Sequence, residues 1–95
     1  MLPALRGFVE KTLDSLLEPE NLEMLSQWYE HFRPFVKSKE DAMFGDIVGT
    51  VQERYCHIAS GRGIYPSKEE MTEVLSIIDR RVHEIKSKIL MVTSR

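Results

Sequence analysis

The sequence predicts an all-α fold, a small antiparallel four-helix bundle, on three observations. Apolar residues recur at three- and four-residue intervals in four separate stretches. Proline, glycine and capping residues punctuate the boundaries between those stretches. At 95 residues, 42% hydrophobic and 29% charged, the chain has the length and composition of one ordinary globular domain, expected to span residues 1–95.

The first helix is expected over about 3–17. Leu5, Phe8, Val9, Leu13, Leu16 and Leu17 fall on one face, and Pro3 suits a first turn that does not need its N–H. Glu18-Pro19 ends the pattern, because the residue before a proline is pushed out of the α region. The second helix is expected over about 20–37 on Leu22, Leu25, Tyr29, Phe32 and Val36, with Trp28 and Phe35 widening the stripe. Pro34 lies inside it, so a kink is expected there.

Ser38-Lys39-Glu40-Asp41 reads as a capping arrangement opening a third helix over about 39–60, with Gly61 as its stop. Its bulky stripe is Phe44, Ile47, Val48, Val51, Tyr55 and Ile58. A second stripe of Ala42, Gly45, Gly49, Gln52, Cys56 and Ala59 is small at every position but one. Helical glycines cost about 1 kcal/mol each against alanine, which suggests a close helix contact along that stripe. Ser67-Lys68-Glu69-Glu70 then forms a capping box. The fourth helix, about 68–92, carries Met71, Leu75, Ile78, Val82, Ile85, Ile89 and Val92 in an unbroken four-three alternation.

Composition limits the function. One cysteine cannot form an internal disulfide. A net charge of −2 and an isoelectric point near 5.9 disfavour a dedicated nucleic-acid binder. Neither a signal-type start nor an apolar run long enough for a membrane span occurs, so a cytoplasmic protein without membrane contact is expected. The mild net charge hides an asymmetry. Residues 1–30 carry about −4, and residues 80–95 about +4. Attraction between the acidic first helix and the basic last one, within a chain or across a dimer, is one consequence.

No residue pattern compels catalysis, and no catalytic, cofactor or metal site is assigned. Glu53 with His57, and Asp79 with His83, are one turn apart, but such pairs are ordinary surface contacts. Cys56 and His57 are neighbours whose side chains diverge on a helix. The unequal helices suggest that the end of the last one protrudes and self-associates or meets a helical partner. Gly45, Gly49, Cys56, Ile85, Ile89 and Val92 are the candidate interface residues. The expected function is therefore protein–protein interaction, as a homodimer or adaptor, without catalysis. Two alternatives stand beside it. One is RNA or anion contact through Arg62, Arg80, Arg81, Lys86 and Lys88. The other is a ligand pocket or small helical enzyme at the Trp28 aromatic cluster, against which ordinary core packing of those aromatics is the simpler expectation.

Overall fold

A computed structural model describes residues 3–61, 63 and 65–94. Among these the chain is all-helical: α1 (Pro3–Leu16), α2 (Pro19–His31), a 3-10 turn (Arg33–Phe35), α3 (Lys39–Gly61), α4 (Lys68–Arg80) and α5 (Val82–Thr93). The all-α expectation holds, and the count of four helices is corrected to five. Both corrections of detail come from breaks in stretches read as continuous.

The first is at Pro34. The second helix stops at His31 instead of kinking through to 37, and Phe35 N–H donates to the Phe32 carbonyl in a tight 3-10 turn. Proline removes a helical hydrogen bond, crowds the carbonyl four residues back and restricts the residue before it. The second is at Arg81, where φ is −111° and ψ is 8°. Its N–H reaches back three residues to the Ile78 carbonyl, and a new helix starts at Val82. No proline or glycine lies there. What lies there is a tertiary anchor: the Arg81 guanidinium bonds to Glu10, Asp14 and Glu84 at 2.6–3.2 Å.

The five helices lie in three lines. α3 runs the length of the molecule, roughly 34 Å at 1.5 Å per residue, and touches all four other helices. α1 and then α2 run antiparallel along it, with Glu30 meeting Lys39 and Tyr29 meeting Asp46. α4 and then α5 also run antiparallel to it, with Tyr55 meeting Glu70 and Lys86 lying over the Phe44 ring. α1 therefore pairs with α4, and α2 with α5. The resulting body measures 41 × 23 × 20 Å.

One apolar cluster fills the space between the lines. Leu5, Val9, Leu13 and Leu17 come from the first line, and Met43, Ile47, Val51 and Tyr55 from α3. Val74, Ile77, Ile78, Ile85, Ile89 and Val92 come from the third. The buried positions of α3 repeat every four residues from Lys39 to Ala59, a row that winds slowly around the helix. A row of that kind lets one helix meet different neighbours at its two ends. In the third line Ile78, Ile85, Ile89 and Val92 of the row expected from spacing are buried, whereas Met71 and Val82 are half-buried, Leu75 is exposed, and Val74 and Ile77 join the core instead. Arg81 is half-buried at the junction of α4 and α5, with its guanidinium turned to the carboxylates of Glu10, Asp14 and Glu84.

The caps follow the sequence in part. Asp41 N–H donates to Ser38 Oγ and Glu70 N–H to Ser67 Oγ, so both serines cap as expected. The Glu70 carboxylate, expected to reach back to Ser67, instead accepts the Tyr55 hydroxyl at 2.6 Å. The turn after α3 uses Gly63 at φ +76°, where its N–H donates to the Ser60 carbonyl.

Candidate functional site

The candidate interface residues of the last helix are not exposed, although Leu90 and Met91 beside them are. Ile85, Ile89 and Val92 are buried in the chain's own core, because α5 lies against α2 and α3 instead of protruding. The small stripe has the opposite fate. Gly45 and Gly49 are exposed, and a Cβ built on either meets nothing within 4 Å, so no close helix contact forms there inside the chain. Cys56 is half-buried and free.

The basic residues are likewise dispersed. Arg81 is only 16% exposed and committed to three carboxylates, and Lys88 pairs with Glu84 at 3.1 Å. Lys86 lies 5.7 Å from the centre of the Phe44 ring, on the α3 side. Arg80 stands with Arg6 and Glu73 on the α1 side. Arg62 lies outside the described residues. Arg80, Arg81, Lys86 and Lys88 therefore do not share one exposed face, and the acidic and basic halves of the sequence meet within the chain.

Polar side chains pair in a similar way elsewhere. The Arg81 guanidinium beside it, helped by Lys88, holds the Glu84 carboxyl down at about 2, and the Arg81 pKa is itself raised. Glu30 lies at about 2 because it accepts from Arg33 and from Lys39. Lys39 buries its stem while its ammonium reaches Glu30 at 3.1 Å. Tyr29 donates to Asp46 at 2.7 Å, and that bond first, then burial, raises its pKa to about 12. Tyr55 is raised to about 12 chiefly by burial, then by its bond to Glu70. These contacts tie helices together. Among the described residues, no three His, Cys, Asp or Glu side chains gather to hold a metal.

Among the described residues Met24, Trp28, Phe32, Phe35, Tyr65, Leu75, Leu90 and Met91 are large apolar side chains left exposed, and the first four lie on the outer face of α2 and the turn after it. Met24 is 66% exposed, Trp28 61%, Phe32 36%, and Phe35 in the following turn 84%. The spacing of four places Met24, Trp28 and Phe32 in one row, where Trp28 and Phe32 rings lie 5.5 Å apart. His31 meets Phe32 edge-on at 5.0 Å. Trp28, Phe32 and Phe35, expected in the core, are therefore on the surface, while Tyr29 packs against the core. α2 is already covered on its other side, where Leu22 is buried and Leu25 and Tyr29 pack against the core. Trp28 and Phe35 were legible as aromatic, but spacing alone could not tell which edge of a wide stripe remains uncovered.

An open groove of about 580 Å³ runs beside this row, lined by Leu16, Leu25, Trp28 and Ile47, with Asp46 and Arg54 as polar groups. Met24 and Trp28 form a wall shared with a shallower hollow against Gln27, His31 and Phe32. The whole is an apolar ridge with a groove at its foot. It offers contact area and shape, and no assembled reactive pair. No helix among the described residues is long and apolar enough to cross a membrane. In comparisons with known proteins, the chain matches no family model, no curated protein and no solved structure.

Proposed function

We propose that this chain is a small, cytoplasmic, non-catalytic helical protein that works by protein–protein contact through the outer face of α2. One observation carries the reading: Met24, Trp28, Phe32 and Phe35 stand exposed together on α2 and the turn after it. Large aromatic side chains gain most when buried against a partner, and tryptophan is prominent among residues that dominate interfaces. A contiguous exposed apolar patch on a small protein commonly marks such a surface. The lone cysteine suits a reducing compartment. The acids and bases that might serve chemistry are spent on one another, as with Arg81, Glu84, Glu30 and Lys39.

A hydrophobic fluorescent dye tests this with the chain diluted. The native protein is expected to bind the dye, and a Met24→Ser, Phe32→Ser double variant to lose most of that signal. Exposed substitutions away from the core change stability by about 0.5 kcal/mol or less each. The thermal midpoint of the variant is therefore expected to stay within about 8 °C of the parent. Unchanged dye binding, or collapse of the fold, would contradict a contact surface separate from the core.

A further inference from the structure

Resting on the reading of α2 as a contact surface, we infer that its occupant is a second copy of this chain, packed antiparallel about a two-fold axis near Trp28. The order of charge along the face points to a copy. Glu18 and Glu20 are exposed at its start, and Glu20 precedes Met24 by about one turn on the same side. His31, Arg33 and Lys37 are exposed at its end. Glu30 accepts from both Arg33 and Lys39, which leaves Lys37 as the cation there without an ion pair among the described residues. A two-fold axis through the middle of the row reverses one copy against the other. The acidic start of each face then meets the basic end of its neighbour, with Glu20 opposite Lys37 on both sides of the axis. A parallel pairing would set like charges together and is disfavoured by the same residues.

Extent supports the same occupant. Aromatic side chains bury about 150–250 Å² each when fully covered. With 61% of Trp28, 36% of Phe32, 84% of Phe35 and 66% of Met24 still exposed, these side chains supply part of the roughly 800 Å² per partner that a stable interface removes from water. The two-fold arrangement also gives each exposed indole a place to go, the groove lined by Leu16, Leu25 and Ile47 on the other copy. The ridge and groove lie side by side, so one surface supplies both halves of the fit.

Light scattering over a concentration series, with thermal melts as controls, tests the inference. At high concentration the mass is expected to reach twice the 11.1 kDa of the chain. Trp28→Ala is expected to remain monomeric with an unchanged melt, and Phe35→Ser serves the same purpose should Trp28→Ala disturb folding. Glu20→Lys is expected to weaken association about tenfold by setting two cations together at each end. Adding Lys37→Glu to it restores the opposite charges and is expected to recover the dimer. A single-chain mass at every concentration, a dimer indifferent to both aromatic variants, or a charge swap without recovery would overturn the second copy as occupant. If dye binding by the α2 face nevertheless behaves as stated above, the contact surface stands and only the occupant falls. If the dye result fails as well, both fall.

Discussion

Arg81 is the residue on which the third line of the fold turns. It lies half-buried between α4 and α5, and it bonds to Glu10, Asp14 and Glu84. Hydrogen bonds to charged groups contribute about 1.5–3 kcal/mol where they are shielded from water, and less where the acids are solvated. Arg81→Ala is therefore expected to lower stability by about 1–3 kcal/mol in a denaturant melt. Arg81→Lys should recover only part of the loss, because an ammonium lacks the planar fork that spans several acids. Full recovery with lysine would show that charge alone matters here. Two titrations follow from neighbouring contacts. Glu84 is held at about 2 in the folded chain, below the ordinary 4.5, by the Arg81 guanidinium. A depressed carboxyl stabilises the fold above its unfolded pKa, so this contribution is lost as pH falls from about 4.5 to about 2. Tyr29 and Tyr55 are raised to about 12, and a raised phenol stabilises below about 10 and loses that contribution as pH climbs to 12. Tyrosinate absorbance is expected to show both titrating late, with Tyr29→Phe and Tyr55→Phe each removing one late component. A full tyrosine titration at the ordinary pKa in the folded protein would contradict the Asp46 and Glu70 bonds.

At the scale of the element, α3 separates what spacing can say from what it cannot. Its existence and start were legible, because Ser38 announces a cap and six apolar residues keep helical spacing. The use of its faces was not. Gly45 and Gly49 suggested a close helix contact, whereas the fold turns that face to solvent. The reason is geometric: the buried row repeats every four residues from Lys39 to Ala59, and so winds away from the glycines. Gly45→Ala and Gly49→Ala are thus expected to raise stability by about 0.5–1 kcal/mol each, through helix propensity with no steric cost. Destabilisation or altered association by either would place a contact on that face. The other elements teach the same lesson. Pro34 marked a disruption, but whether the helix bends or ends depends on what the following residues can reach. The break at Arg81 is marked by no proline or glycine, and two of the acids that Arg81 bonds to lie on α1, some seventy positions away in sequence.

At the scale of the whole molecule, the charge asymmetry of the sequence becomes an internal fastening. The acidic first line and basic third line meet through Arg81, while the core absorbs Ile85, Ile89 and Val92 of the last helix and leaves Leu90 and Met91 exposed. The all-α class, and the helices apart from the two breaks, could be read from periodicity and punctuation. The candidate surface could not, because an aromatic row looks the same whether its own chain or another covers it. The proposed contact is the outer face of α2, where Met24, Trp28, Phe32 and Phe35 are exposed. Trp28 is the only tryptophan and stands 61% exposed on that face, so its emission reports directly on the contact. With rising protein concentration the emission is expected to shift to the blue and its quenching by acrylamide to fall, in step with doubling of mass. A dimer that forms with Trp28 still emitting as a solvated indole, and still fully quenched, would contradict contact through α2.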